Sequence, residues 1–299
     1  MPLSLRVPKA LSIALLILSV TAAASSQSKG IDPALLAKAK AGDADAEQRV
    51  SLIYSRLGNQ KESCRWGLMA AQHGNVDAQF ILGEFYENGS TFCGLPKDYA
   101  QAAVWLRKAA EQGDVLAQDE LAFLYYNGQD YAQAAIWWRK AAEQGTADAQ
   151  YALACAYAKG NGVPQDYKEA ARWAQKSAEL GNAAAQHSIG FAYDVGEGVL
   201  QDHTQAAYWY RKAAEQGDAS SQYSLGLLYY GGQGVPQDYA ESYFWFDLAA
   251  SGKLESIEPQ KVASLRDAAA SNLTKTVLLQ TQERARKWFE EHSAKAIPQ

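Results

Sequence analysis

Three sets of residues in this chain stand at spacings that can do chemistry. GNGVPQDY, Gly160 to Tyr167, returns as GEGVLQDH from Gly196 and as GQGVPQDY from Gly232, and a Gly-x-Gly turn can cradle a phosphate on bare backbone amides. Ser26-x-x-Lys29 has the serine–lysine spacing of acylating enzymes such as the β-lactamases. Four histidines, His73, His187, His203 and His292, are candidate bases or metal ligands. None of these works without elements that position it, so the elements decide.

The glycine-led hexapeptides supply the answer for the loops. GDADAE at Gly42, GNVDAQ at Gly74, GDVLAQ at Gly113, GTADAQ at Gly145, GNAAAQ at Gly181 and GDASSQ at Gly217 follow one another at 32, 39, 32, 36 and 36 residues. Trp66, Trp105, Trp137, Trp173, Trp209 and Trp245 keep the same rhythm. A unit of about 36 residues with occasional insertions is the mark of a repeat array. Each unit carries two helical patterns. The first, as in AQFILGEFY from Ala78, sets Leu82, Gly83 and Tyr86 at helical spacing, with the glycine allowing close approach of a neighbour. The second, DYAQAAVWLRKAAEQG from Asp98, begins on an N-cap aspartate and stops at Gly113. The Tyr-to-Trp distance is 12 residues in the first and third units, 19 in the second and 16 in the last three, so the indels fall in the inter-helix loop. GNGVPQDY is that loop. Its glycines reverse the chain and Pro164 breaks the helix.

The other two sets lose their context. No histidine lies within four residues of another, and no His/Cys/Asp/Glu group has metal spacing, so neither metal nor cofactor is expected. Ser26 and Lys29 fall just past an expected cleavage site, without the helix start or companion motifs the chemistry needs. That site follows Arg6 and Lys9, the apolar run Leu11–Val20 and the small pair Ala22 and Ala24. This is the layout of a secretory signal over residues 1–24, with an apolar run too short to span a bilayer. Its removal would shift the net charge from −5 to −7, and no basic run remains to bind nucleic acid. The expectation is an exported, monomeric protein, periplasmic or extracellular, with no membrane span.

The chain resembles the Sel-one-like repeat (SLR) family, a relative of the tetratricopeptide repeat. The resemblance rests on AQYALACAY from Ala149, GNGVPQDY from Gly160 and AARWAQKSAELG from Ala170. It implies an all-α, right-handed solenoid of about six helix-turn-helix repeats over residues 42–252, with helical caps at 31–41 and 253–292 and a tail at 293–299. It also implies a non-catalytic scaffold that binds a segment of a protein partner on its concave face. A cysteine-rich branch of the family is linked to penicillin binding and hydrolysis, which makes a cell-wall or β-lactam enzyme the alternative. That branch pairs two cysteines in every repeat, whereas this chain has three in all, and no catalytic residue transfers. Turnover of a chromogenic β-lactam would favour the enzyme.

Two placements follow. Cys64, near the start of a second helix, and Cys93, in the long loop of the next repeat, fall at the same end of adjacent repeats. An exported compartment favours their disulfide over two free thiols, leaving Cys155 free. In the tetratricopeptide fold the first helices line the concave face. Counting from the Gln that opens each one, +3, +4 and +7 pack and +1, +5 and +8 are left to face the groove. Those positions are Phe80, Glu84 and Glu87; Asp119, Phe123 and Tyr126; Tyr151, Cys155 and Ala158; His187, Phe191 and Asp194; and Tyr223, Leu227 and Tyr230. The stripe runs from acidic to aromatic, which suits a partner basic at one end and apolar at the other. The alternative is that these rings pack against the next repeat. The periodic tryptophans are expected in the core, whereas Trp138 and Trp288 break the register and are expected to be the exposed ones.

Overall fold

The structure is a computed structural model that describes residues 31–252 and 258–295, with side chains to residue 292. The expected signal segment 1–24, the Ser26/Lys29 pair and residues 296–299 lie outside the described residues. Fifteen helices make up the described residues, with no named strand among them. They are α1 Pro33–Lys40, α2 Ala44–Arg56, α3 Gln60–Gln72, α4 Val76–Asn88, α5 Tyr99–Glu111, α6 Val115–Asn127, α7 Tyr131–Glu143, α8 Ala147–Lys159, α9 Tyr167–Glu179, α10 Ala183–Val195, α11 His203–Glu215, α12 Ala219–Gly231, α13 Tyr239–Ser251, α14 Pro259–Ala270 and α15 Lys275–Lys295. The last helix runs into the residues expected as tail. Within each unit, helices adjacent in the chain pack on one another, as α2 does on α3 and each helix from α5 to α13 on the next, so the fold is an α-solenoid of helix pairs.

The chain divides into two compact units. The first runs to Ala78 and includes Thr91–Gly94; the second holds Gln79–Ser90 and everything from Leu95 onward. In the first unit, Asp32 caps α1 through the Ala34 amide and Asp43 caps α2 through the Ala46 amide. Ala39, Ala46, Val50 and Trp66 form its buried cluster. Cys64 and Cys93 are joined in a disulfide, with Cα atoms 5.5 Å apart.

In the second unit the letters of the repeated loop each have a physical reason. Gly160, Gly196 and Gly232 close their helices in the left-handed conformation, with φ of 70°, 75° and 66°. The second glycine of each loop lies on the start of the preceding second helix. A Cβ on Gly162 would stand 2.0 Å from the Tyr131 carbonyl oxygen, and one on Gly198 2.0 Å from that of Tyr167. Gln165, Gln201 and Gln237 donate from Nε2 to the carbonyls of Ala158, Asp194 and Tyr230, each at 2.8 Å, and so satisfy helix-end acceptors. Asp98, Asp166, Asp202 and Asp238 each accept two amides of the helix they open. A cap of this kind contributes about 1 kcal/mol. The phosphate reading fails because stacking on backbone fills the space a ligand would need.

Glutamines hold successive repeats together. Gln112 donates to Gln79, Gln144 to Gln118 and Gln216 to Gln186, each at 2.8 Å. Leu180 takes the fourth place in this ladder, and the buried Oε1 of Gln150 opposite it has no partner. Arginines at the periodic position two beyond the tryptophan bond a tyrosine hydroxyl of the next first helix: Arg107 to Tyr125, Arg139 to Tyr157 and Arg211 to Tyr229. Lysines three beyond lie over the indole, Lys108 at 4.1 Å from the Trp105 ring centre and Lys140 at 4.0 Å from that of Trp137.

Candidate functional site

The first-helix stripe of the second unit is shaped by the residue that follows each periodic tryptophan. Leu106, Trp138, Ala174, Tyr210 and Phe246 occupy that place, and all are buried. Glycine in the first helix matches bulk there. A Cβ on Gly190 would meet the Tyr210 ring at 2.8 Å, and one on Gly226 the Phe246 ring at 2.8 Å. The expectation of an exposed Trp138 is therefore corrected. Its ring is 1% exposed, because the position after the periodic tryptophan faces the neighbouring first helix. Trp288 is half-buried, packed on the cluster around Phe244 and stacked at 3.7 Å on His292. The periodic Trp66, Trp137, Trp173, Trp209 and Trp245 are buried, and Trp105 is half-buried.

The stripe itself separates into packed and open members. Asp119, Glu84 and Tyr223 are buried and offer no surface. For Tyr223 the reason is the Phe246 ring, whose centre lies 5.9 Å away. Phe123 and Tyr126 are half-buried with centroids 5.3 and 5.4 Å from Trp138. Phe80, Glu87, Tyr151, Cys155, Ala158, His187, Asp194, Leu227 and Tyr230 are half-buried as well. Phe191 alone among these positions is exposed, at 47%. The bulky residue after the tryptophan decides which ring packs, so the alternative of packing against a neighbour accounts for Phe123, Tyr126 and Tyr223.

Around Phe191 the polar groups are tied together. His203 Nδ1 and Asp194 Oδ1 are 2.9 Å apart, and the Tyr210 hydroxyl donates to Asp194 Oδ2 at 3.4 Å. His187 Nδ1 lies 2.9 Å from Ser221 Oγ and 3.5 Å from Asp218 Oδ1. These are the residue types of a Ser–His–Asp triad, but not its arrangement. A triad needs serine and carboxylate on opposite imidazole nitrogens, and here both stand at Nδ1. Ser221 is also fully buried. Burial pushes His187 below the ordinary histidine range, against the opposing pull of Asp218. Burial likewise raises the Tyr151 and Tyr210 hydroxyls and the Cys155 thiol, which keeps them protonated at neutral pH. Among the described residues no His/Cys/Asp/Glu group could hold a metal ion. What the arrangement offers is an aromatic and hydrogen-bonding surface. The sequence reading missed His203 and Tyr210 in it. A signal was available, since both stand at fixed places of the repeat: His203 replaces the tyrosine that starts the other second helices of the second unit, and Tyr210 follows the periodic tryptophan.

Comparison with known proteins fits this construction. The Sel1 repeat profile matches residues 76–114, 115–146, 147–182, 183–218 and 219–253. The crystal structure of c5321, a protective antigen present in uropathogenic Escherichia coli strains displaying an SLR fold, is similar at 30% identity and a TM-score of 0.66, covering 90% of this chain. This chain spans 65% of that antigen's length. A Sel1 repeat protein from Oxalobacter formigenes is similar at 28% identity and a TM-score of 0.66, covering 80% of this chain and 99% of its own. No curated protein matches. With five repeat matches covering more than half of its length, the chain belongs to the Sel1 repeat family.

Proposed function

We propose that this protein is a non-catalytic interaction scaffold, exported to the bacterial periplasm or exterior, that binds a segment of a protein partner along the first helices of its second unit. The Sel1 repeat family typically serves as protein-interaction scaffolds. The observation that carries the site is Phe191, a large apolar ring left 47% exposed on a stripe whose other aromatics are buried or half-buried. Tyr151, His187, Leu227 and Tyr230 lie half-buried on the same stripe, and aromatic side chains give contact area at modest entropic cost. The partner segment sets an apolar residue against Phe191 and polar groups against Asp194 and His203. Export is supported by the disulfide, by the leader-like residues 1–24 and by the likeness to a protective antigen.

The test is a photo-crosslinking residue placed at Phe191, with a second protein carrying it at the loop residue Leu200, 91% exposed, as control. One envelope protein captured from position 191 and not from 200 supports the site. Equal capture from both positions would falsify it. Phe191→Ala should then weaken the captured partner at least about tenfold, or about 1.4 kcal/mol, with an unchanged circular-dichroism melt. Tyr223 is excluded from this test because its truncation would open the core.

A further inference from the structure

The residue before each periodic tryptophan reports what lies on the second-helix face. Val104 on α5 and Ile136 on α7 are each 47% exposed, and Tyr208 on α11 is 48% exposed, but Phe244 on α13 is 2% exposed. The cover over Phe244 is α15. The Arg284 guanidinium stands 3.8 Å from the Phe244 ring centre and pairs with Glu241. Gln282 donates to the Tyr243 hydroxyl at 3.1 Å. Ala285 enters the buried cluster of Phe244 and Trp245, and Trp288 and Phe289 pack against it. Arg211 and Glu215 of α11 wall the cleft alongside. The chain thus displays what this face accepts: an amphipathic helix with a small residue at its centre and aromatics three and four residues later.

We propose that the same face of α5 and α7 docks an amphipathic helix of a partner protein in the way α15 is docked on α11 and α13. The register of the repeat puts Arg107 and Glu111 where Arg211 and Glu215 stand, and Trp137 where Trp245 stands. Val104 and Ile136 make the floor apolar in two successive repeats, whereas α9 has the exposed Arg172 at that place and breaks the stripe before Tyr208. The partner differs from α15 in charge. Gln133 replaces Glu241, so no arginine is called for there. The two helices carry four cations, Arg107, Lys108, Arg139 and Lys140, against two carboxylates, Glu111 and Glu143. The docked helix therefore has an alanine–aromatic stripe and acidic flanks. This face is separate from the Phe191 stripe, and neither proposal depends on the other.

The probe is a fluorescein-labelled peptide of residues 276–292 bearing R284Q, R286E and K287E, titrated with the full chain and followed by anisotropy. Saturable binding is expected, with Ile136→Glu raising Kd at least about tenfold and Tyr208→Glu leaving it unchanged. Both side chains are half exposed, and circular dichroism checks that each variant is folded. Absence of saturation at about 1 mM peptide, or equal loss from the two variants, overturns the proposal.

Discussion

The helix pair α2–α3 of the first unit and the pair α8–α9 of the second follow the same plan but are held by different forces. In α2–α3 the polar contacts are single and particular. The fully buried Glu47 carboxylate meets His73 Nδ1 at 2.8 Å, and the Ser51 hydroxyl donates to the Ser63 carbonyl at 2.8 Å. One covalent bond closes 29 residues of chain. In α8–α9 the contacts are the family's own: a stacked glycine loop, a glutamine under the helix end, an aspartate cap and a Trp–Lys pair. The Sel1 repeat profile begins at Val76 and leaves α2–α3 out. A repeat that keeps its consensus draws stability from the same small contacts made many times. The pair outside the consensus is stapled. The difference teaches that the disulfide stands in for repeat contacts.

The sharpest way to break this comparison uses two glycines with almost the same backbone angle. Gly162 has φ +73° and Gly58 has φ +75°, but a Cβ on Gly162 would strike the Tyr131 carbonyl while one on Gly58 meets nothing within 4 Å. Gly162→Ala should cost about 4 kcal/mol, from left-handed strain plus an unrelieved backbone clash, and Gly58→Ala only about 1–2 kcal/mol. Urea melts followed by circular dichroism read both; equal losses would mean that loop stacking contributes nothing. Next comes the staple. Cys93→Ser should destabilise the first unit by about 3.5 kcal/mol from loop-closure entropy. Hydrogen exchange should rise in α2 and α3 and stay unchanged in α8–α13. A uniform rise across both units would erase the distinction.

A smaller change completes a consensus contact instead of removing one. Leu180→Gln should place an amide donor before the unpartnered Gln150 Oε1 and stabilise the second unit by about 1 kcal/mol. A double-mutant cycle with Gln150→Ala isolates the bond, and a coupling of zero would show that solvent already serves that oxygen. The smallest effect is one of pH. Burial holds the folded His187 below its ordinary value, so the unfolded chain takes up a proton first as pH falls. Its neutral form therefore supports the fold fully above about pH 6.5, and that support is lost as pH drops through the unfolded and then the folded value. His187→Asn should flatten the melting temperature between about pH 7 and pH 5 relative to the native chain. An identical pH profile would show that the ring titrates alike in both states.

Much of this molecule was determined within a few residues of chain. The period, the helix starts on Asp43, Asp98 and Asp166, the reversals at Gly160 and Gly196 and the pairing of Cys64 with Cys93 follow from local preference and from register. Packing against the next repeat decided the rest. Helical spacing relates one side chain to another by angle, but it does not say how far the helix is turned toward its neighbour or how large a side chain it will meet. Trp138 is buried and Phe191 is exposed because the residue after the periodic tryptophan points inward and its bulk differs from repeat to repeat. Phe123 meets the Trp138 ring, while two repeats further on His187 lies against Tyr210 and Phe191 is left outside. Gln129 makes the same point on the backbone: it takes φ of 64° while its neighbour Gly128, the residue free to do so, stays right-handed. Side-chain size across a helix–helix interface is a pairwise quantity, and one strand of letters read along its length holds only half of each pair.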